Sequence, residues 1–336
     1  MDALGGSTAS ASVLGYHYPE NRDMLLRVLS KGTEACFIGA WSADGELQAV
    51  LPGMLHRAGG RACYNSLPFF GPNAGVLASA EDPARYAGLA RALTLAAVEL
   101  ARGEQALSAV FYSPFNPEGL PLPNPALDED LKPLRVPRTT LFTSIGAEAE
   151  WAADIRYDIR KAEKAGVTVQ EGIAADAVGR VYEIYAKNCA DFGIPLKPRE
   201  CIEHLCRFGG KRVAAYTARL EGEIIAALIV LRGPRTASYY LPCGDSKHRA
   251  LQAGSVLIER AVRDARDAGL TYWNWEASPD KEGGVYRFKR KWGAQESGYE
   301  VSVVPLVDDG VLKEIGSKGL ADDFPFYFVY PYAALQ

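Results

Sequence analysis

The chain lacks most of the motifs that identify an enzyme directly. Its 336 residues include only four histidines and six cysteines, and neither residue type shows a CxxC pair or the spacing of a metal site. A P-loop, a GxSxG motif and an HExxH motif are also missing, so kinase, serine-hydrolase and zinc-hydrolase functions have no support. We therefore predict reduced, packed thiols and a chemistry that needs no metal.

The chain also lacks a long apolar run and an excess of positive charge. Its longest unbroken apolar run, IIAALIVL at 224–231, is far shorter than the ~20 residues of a spanning helix. The N-terminal residues lack the basic region of a secretory signal. A net charge of -4 describes an acidic globular protein rather than a nucleic-acid coat. We therefore predict a soluble, cytoplasmic protein in which any contact with RNA is confined to a local basic surface.

The predicted elements follow the same order in both halves of the chain. Each half has two strands joined by a turn, a third strand, a long helix and a further strand, which predicts two similar α/β units with mixed sheets. A Pro-rich stretch, 113–137, is predicted to be an irregular surface excursion, with RTTLFTSI as a strand after it. The second-half strands are RVAAYTARL, EIIAALIVLRG, TASYYLPCG and TYWNWEA around a helix at 251–269; the first-half strands are ACFIGAWSA, ELQAVLPGML, RACYNSLP and ALSAVFYSP around a helix from Pro83 to Arg102.

An amphipathic helix opens the second half of the chain, at 151–166. Ile155 and Ile159 form its apolar stripe, and Gly166 ends it. Three cations recur every four residues on another face, which predicts either a solvated, salt-bridged surface or a contact with RNA phosphates. These cations are Arg156, Arg160 and Lys164.

A second helix is predicted in the segment GGVYRFKRKWGAQ, residues 283–295. Spacings of three and seven residues place Val285, Phe288 and Trp292 on one face, which is expected to pack into the core. Gly293 ends the helix. Lys289 is then the cation nearest the aromatic edge, one turn from Tyr286, while Arg287, Arg290 and Lys291 spread around the polar side.

The strand before this helix, in YWNWEASPD, places Tyr272, Asn274 and Glu276 on one face and two tryptophans on the other. Ligands of open α/β sheets bind beyond strand C-termini, so Glu276, Asp280 and Lys289 are expected to converge there. The alternative is a simple ion pair between the carboxylate and the cationic helix.

The run YWNWEASPDKEGGVYRFKRKWGA resembles the C-terminal signature of the FemABX peptidyltransferases and their acetyltransferase-like (GNAT-type) relatives, in which a YDFGG…GLYRFKxxFG pattern recurs. The segments IRYDIRKAEKAGVTVQEG and YEIYAKNCADFGIP resemble the family's helices at the start of its second domain. The similarity covers about residues 150–305. Over the first 145 residues it rests on element order and on NSLPFFGPNAGVL.

The resemblance implies an α/β fold with two GNAT-like domains in tandem and a cleft between them. The first domain is predicted at 13–148, with the aromatic tail at 308–336 packing back on it, and the second at 149–307. The implied activity is N-acyl transfer, in which an amine attacks an activated carbonyl carried by aminoacyl-tRNA or by acyl-CoA.

The resemblance also assigns residues to the site. Phe288 and Lys289 match the family's Phe-Lys pair, whose lysine is placed beside the reacting ester to stabilise the oxyanion. Glu276 is the second catalytic candidate, and no acidic residue in VFYSPF offers a general base in the first domain. The candidates for substrate binding are Phe288, Tyr286, Arg287, Arg249, Asn274, Tyr240 and Asp280.

The acyl donor is predicted from a difference between this sequence and the CoA-binding pattern of GNAT enzymes. Acetyl-CoA enzymes of the GNAT type hold the pyrophosphate with an Arg/Gln-x-x-Gly-x-Gly/Ala turn at a helix N-terminus. In RALQAG, Arg249 and Gly254 fit this turn, but Gln252 occupies the first glycine position and its side chain would crowd the phosphates. The sequence therefore favours aminoacyl-tRNA over acyl-CoA.

The resulting prediction is a monomeric enzyme that transfers an amino acid from aminoacyl-tRNA to an amine of a small peptide, a cell-wall precursor or a natural product. Its partners are tRNA and the acceptor, not a membrane, and aminoacyl-tRNA is a co-substrate rather than a resident cofactor. Two alternatives stay open. One is an acyl-CoA-dependent N-acyltransferase acting on an amino sugar or another small amine in polysaccharide biosynthesis, and the other is a non-catalytic module that binds tRNA or a glycan.

Overall fold

A computed structural model describes residues 11–29, 31–67, 71, 73–78, 82–120, 127–146, 151–278 and 280–331. The chain divides into two compact units. Unit 1 comprises Met1–Val13, Leu29–Thr139 and Ser297–Gln336, and unit 2 comprises Leu14–Val28 and Thr140–Glu296. Parts of four predicted segments lie outside the described residues: 68–70 and 72 of NSLPFFGPNAGVL, 121–126 of the Pro-rich stretch, 279 of YWNWEASPD, and 332–336 of the tail.

Both units contain helices and strands. The helices are α1 Pro19–Val28, α2 Pro83–Gly103, α3 Ala153–Lys164, α4 Val178–Phe192, α5 Arg199–Phe208, α6 Ala253–Asp267, α7 Gly284–Lys291 and α8 Asp309–Asp323. The strands are β1 Thr33–Ala35, β2 Ile38–Trp41, β3 Leu47–Leu51, β4 Met54–Ala58, β5 Arg61–Asn65, β6 Leu77–Ala78, β7 Ala106–Tyr112, β8 Leu134–Ser144, β9 Thr168–Glu171, β10 Val213–Leu220, β11 Glu223–Arg232, β12 Thr236–Gly244, β13 Tyr272–Ala277 and β14 Gln295–Pro305. The predicted mixed α/β fold is confirmed.

The main sheet of unit 1 has the strand order β1-β4-β5-β7-β14. β5 and β7 are parallel and α2 connects them, whereas the other neighbours are antiparallel. Asp82 caps α2 by accepting the backbone N–H of Ala84 at 3.0 Å. The core contains Leu93 of α2 together with Tyr64 and Phe111 of the sheet. β2, β3 and β6 form a second, smaller sheet.

The aromatic segment after α8 packs within unit 1. Tyr327 and Val329 are buried. Asn65 donates its side-chain amide to the carbonyl of Phe328 at 3.0 Å, and Ser108 Oγ donates to the carbonyl of Val329 at 2.6 Å. Side chains of β5 and β7 therefore hold the segment by its backbone.

Two strands predicted in the first half are each broken in the structure. ACFIGAWSA contributes to β1 and β2, and ELQAVLPGML contributes to β3 and β4. In each case the two strands belong to different sheets, since β1 and β4 lie in the main sheet and β2 and β3 in the smaller one. The second break falls at Pro52 and Gly53 because proline cannot donate to a ladder. A Cβ on Gly53 would lie 2.1 Å from the Tyr64 hydroxyl. The predicted irregular stretch also ends early, since β8 already begins at Leu134, although its register with β13 begins only at Thr140.

The sheet of unit 2 has the order β8-β13-β12-β11-β10-β9. β10 and β11 form the predicted hairpin, closed by Glu221 and Gly222 with φ of 51° and 89°, the positive values that a type I′ turn requires. β12 and β13 are parallel and α6 connects them. α6 packs on the face that presents Leu228 and Val230, whereas α4 meets the face of Cys243.

Domain boundaries at residues 148 and 307 would place two segments in a different unit from the one in which they lie. Residues 14–28 lie in unit 2, where α1 contacts α5 and buries Met24 and Leu25. Residues 297–305 lie in unit 1 because β14 pairs with β7.

Candidate active site

The candidate site lies in unit 2, where two parallel strands separate. β12 and β13 pair from Thr236 with Tyr272 to Ser238 with Asn274, and both strands then continue without further registered pairing between them. Each strand carries a bulge just beyond this point, at Tyr240 in β12 and between Asn274 and Ala277 in β13. Bulges re-aim side chains, so both strands turn residues towards the same opening.

Glu276 occupies the bulge of β13 in a strained backbone conformation. Its φ is 62°, a left-handed value that costs a non-glycine residue ~1–2 kcal/mol. Asn274, which is fully buried, compensates with two bonds: its Oδ1 accepts the Glu276 N–H at 3.0 Å and its Nδ2 donates to Glu276 Oε1 at 3.2 Å. Thr140 in turn donates to Asn274 Oδ1 at 3.3 Å. The carboxylate is therefore fixed in direction.

Lys289 reaches the same strand end from α7. Its side chain is 5% exposed, and its ammonium donates to the carbonyls of Trp275 at 2.6 Å and Ala277 at 3.2 Å and to Ser278 Oγ at 2.8 Å. All three of its protons thus have neutral oxygen acceptors. A buried cation held by dipoles rather than by a carboxylate can respond to negative charge that develops nearby.

Burial moves the pKa values of both groups towards neutrality. Burial raises the pKa of Glu276 to about 7, against the opposing effects of a hydrogen bond from Ser238 and of the cations Lys289 and Lys197. Burial lowers the pKa of Lys289 to about 8, and the negative charge of Glu276 opposes this. The site therefore holds one group that can take up a proton near pH 7 and one that is still protonated there.

Lys197 is a site residue that the sequence analysis missed. It follows α4, and its ammonium lies 4.7 Å from the ring centroid of Tyr240. Burial lowers its pKa, while the charges of Cys201 and Glu276 act in the opposite direction. The buried Tyr240 hydroxyl lies beside the Cys201 thiol. Nothing in the spacing of GIPLKPRE indicates a site, because a loop between two helices supplies the lysine.

The aromatic face of α7 differs from its prediction. Phe288 and Trp292 pack with Trp275, at ring centroid distances of 6.4 and 6.0 Å. Val285 was expected beside them but is 53% exposed. The prediction was wrong because the first turn of α7 projects into solvent and only its second half, with Lys289, meets the core.

Within the described part of the chain, none of the remaining predicted residues is hydrogen-bonded or ion-paired to Glu276 or Lys289. Asp280 is exposed and its carboxylate accepts the N–H of Glu282 at 3.0 Å, so it shapes the turn before α7 instead of converging with the pair. Tyr286 donates to Glu296 and Arg287 to the carbonyl of Glu282. Arg249 lies exposed on a 3-10 turn, Ser246–Leu251, that precedes α6. These four remain predictions for substrate binding.

Metal-ligand clusters and membrane-spanning helices were also sought in the described residues. Among the described residues, no three or more His, Cys, Asp or Glu side chains gather as a metal site. In the same part of the chain, no helix is both long and apolar enough to cross a membrane.

The segment that holds this site is similar to a known family. Residues 151–290 match the model of the acetyltransferase (GNAT) domain. This segment contains α3–α7 and β9–β13, and therefore both Glu276 and Lys289. None of the curated proteins matches the sequence significantly. Residues 151–290 are therefore similar to a GNAT domain, and the transferase class predicted from the sequence is confirmed.

Solved structures extend the similarity to most of the chain. The crystal structure of FemX matches with a TM-score of 0.65 at 13% identity, covering 88% of this chain and 93% of FemX. The tandem GNAT protein of the clavulanic acid biosynthesis pathway matches with 0.52 at 14%, covering 91% and 96%. The C-terminal domain of a protein from Agrobacterium fabrum assigned as a lysylphosphatidylglycerol synthetase matches with 0.56 at 14%, covering 90% and 95%. At such identities the likeness shows a fold, which confirms the FemABX-like, GNAT-type fold predicted from the sequence.

Proposed function

We propose that this GNAT-domain transferase forms an amide bond by moving an amino acid from aminoacyl-tRNA to the amine of a small peptide, cell-wall precursor or natural product. The observation that carries the proposal is the Glu276–Lys289 arrangement at the end of β13, where a proton acceptor and a cation flank the opening beside β12. The fold shared with FemX supports it.

The reaction assigns one task to each group. The neutral acceptor amine attacks the ester carbonyl carbon, and Glu276, ionised above about pH 7, takes the proton that the nitrogen releases as it becomes positively charged. The new C–N bond forms, and the negative charge on the carbonyl oxygen develops near the Lys289 ammonium. The C–O bond to the ribose then breaks, and the ribose oxygen receives the proton from Glu276.

The bonds of Lys289 indicate how it meets the oxyanion. Its contact with the carbonyl of Ala277, at 3.2 Å, is the longest of its three and the one most easily exchanged. The contacts with Trp275 and Ser278 then keep the ammonium in place. A single oxyanion donor of this kind contributes ~3 kcal/mol to the transition state.

The turn before α6 supports a tRNA donor over a CoA donor. Gln252 has a φ of 58°, a conformation that glycine adopts without strain, and it keeps its side chain at the N-terminus of α6. Asp245, at the start of the turn, is an acidic group held by Arg180 at 2.7 Å. A side chain and a carboxylate at this turn both disfavour a pyrophosphate.

An acyl-CoA-dependent N-acyltransferase is the second candidate. The match of residues 151–290 to an acetyltransferase domain favours it. The same Glu276 and Lys289 would then act on a thioester, and a thiol would leave in place of the ribose hydroxyl. The two candidates differ in donor and share the site.

The test uses the full chain with a labelled aminoacyl-tRNA mixture and a pool of amine acceptors. Formation of labelled amide that ribonuclease treatment of the donor abolishes, and that Glu276→Gln reduces, is the expected result. Transfer from acyl-CoA that ribonuclease does not affect would replace the first proposal by the second. No transfer from either donor would contradict both.

A further inference from the structure

The outward face of α3 is a row of cations around one exposed tyrosine. Ile155 and Ala162 are buried and mark the inner side of the helix. At 100° per residue, the opposite side carries one aromatic residue and three cations, whereas Asp158 and Glu163 fall towards the edges. The outward residues are Tyr157, Arg160, Lys161 and Lys164.

The three cations of this face lack intramolecular partners among the described residues. Arg160, Lys161 and Lys164 are exposed and make no ion pair or hydrogen bond within the part of the chain that the structure describes. Tyr157 is 60% exposed. The salt-bridged surface that was one interpretation of the sequence is therefore absent from this face.

The face is connected to the candidate site through α7. Lys291 Nζ, two residues after Lys289, lies 3.1 Å from Asp154 Oδ2 in the first turn of α3. The rings of Trp151 and Trp292 pack at 4.9 Å at the same junction. α3 also contacts the 3-10 turn that carries Arg249. A polyanion lying along α3 would thus be led towards the α7 end of the site.

We propose that this face of α3 holds the tRNA part of the donor. Exposed cations at one-turn spacing fit successive phosphates of an RNA backbone, and an exposed tyrosine between them offers a stacking platform for an unpaired base. The inference rests on the proposed aminoacyl-tRNA donor, but it assigns binding to residues that take no part in the chemistry. The protein as a whole is acidic, with a net charge of -4, so this local face determines where RNA binds.

The experiment measures binding of uncharged tRNA to the full chain across a range of salt concentrations. The test variant replaces Arg160, Lys161 and Lys164 by Ala. The matched control replaces Lys31, Lys313 and Lys318, which are exposed residues of unit 1, by Ala. We expect the slope of log affinity against log salt to flatten by about 2 to 3 in the test variant and to stay unchanged in the control.

A second pair of variants tests the stacking contact. Tyr157→Ala is expected to weaken binding by about tenfold, and Tyr157→Phe to restore it, since both rings stack. If the triple variant and Tyr157→Ala bind tRNA like wild type, the surface assignment is wrong while the donor proposal stands. If wild-type protein binds no tRNA at low salt, this inference and the tRNA donor both fail, and acyl-CoA becomes the donor to test.

Discussion

The two units contain the same crossover, a strand, a helix and a parallel strand, but finish it differently. In unit 1, β5 and β7 pair as far as Asn65, the last residue of β5, with one register shift after Ala62, and Asn65 and Ser108 hold the C-terminal segment. In unit 2, β12 and β13 part after Ser238 and Asn274. One crossover is closed by backbone hydrogen bonds, and the other is left open.

The difference extends to the groups at the strand ends. β7 is buried at every position and carries no carboxylate or amine. β13 ends in Glu276, with Lys289 supplied by the following helix. We infer that the closed crossover stabilises the fold and that the open one carries the chemistry, because the end of β13 brings together two groups, Glu276 and Lys289, whose pKa values lie near neutrality.

The largest expected effect comes from removing the proton acceptor of the open crossover. Glu276→Gln keeps the shape of the side chain but cannot take a proton, so kcat/KM should fall by about 10²- to 10⁴-fold. Steady-state transfer assays measure this. The control is Glu300→Gln in unit 1, a strand carboxylate paired with Arg135 at 2.9 Å. An equal loss in both variants would contradict the assignment of the chemistry to unit 2.

A smaller loss is expected from Lys289→Met. The substitution keeps the apolar stem and removes the charge, so kcat should fall by about 10²- to 10³-fold, the effect of losing one oxyanion donor. Lys291→Met is the matched control on the same helix, where the ammonium is exposed and paired with Asp154. Circular dichroism must show that both variants are folded. If the folded Lys289→Met enzyme has the kcat of wild type, Lys289 only stabilises the end of β13 and takes no part in catalysis.

The pH profile should reflect the same pair. The raised pKa of Glu276, about 7, means that the base is ionised only above it, so kcat/KM rises through this value. The lowered pKa of Lys289, about 8, means that the cation is lost above it, so kcat/KM falls again. The expected curve is a narrow bell whose limbs belong to the coupled pair. In the Glu276→Gln variant, the acidic limb of the pH profile should disappear. If that limb is unchanged, a group other than Glu276 produces it.

The smallest effect on catalysis is expected from a substitution in the closed crossover of unit 1. Asn65→Ala removes the buried amide that holds the backbone of Phe328 on both its carbonyl and its N–H. We expect the free energy of unfolding to fall by about 2 kcal/mol in urea titrations. The kcat of the folded fraction should stay close to wild type. A loss of kcat without a loss of stability would mean that unit 1 also acts in the reaction.

The sequence predicted elements well where the periodicity was strong. The hairpin of β10 and β11, the strand β12 and the helix α6 follow from alternation, a turn rich in positive-φ residues and a helical stripe, all of which are local signals. β14, α1 and α8 were not predicted. The breaks between β1 and β2 and between β3 and β4 also depend on tertiary context, such as the close approach of Gly53 to Tyr64.

The site was predictable in its residue types but not in its geometry. Strand alternation and the family resemblance both indicate Glu276 and Lys289. Neither reveals the bulge that rotates Glu276 or the carbonyls that hold Lys289, since these depend on the register of neighbouring strands. Lys197 could not be found because a loop position reaches the site only through the packing of α4 and α5.

The assignment of chain segments to units has a consequence for how the protein is made. Unit 2 takes α1 from the N-terminal part of the chain, and unit 1 takes β14 and α8 from the C-terminal part. During synthesis, unit 1 therefore stays incomplete until the residues after 296 have left the ribosome. A fragment of residues 140–296 would expose the side of α5 that α1 covers. Unit 2, whose last residue is Glu296, can therefore complete its fold first, and unit 1, which holds most of the N-terminal half of the chain, is expected to complete its fold last.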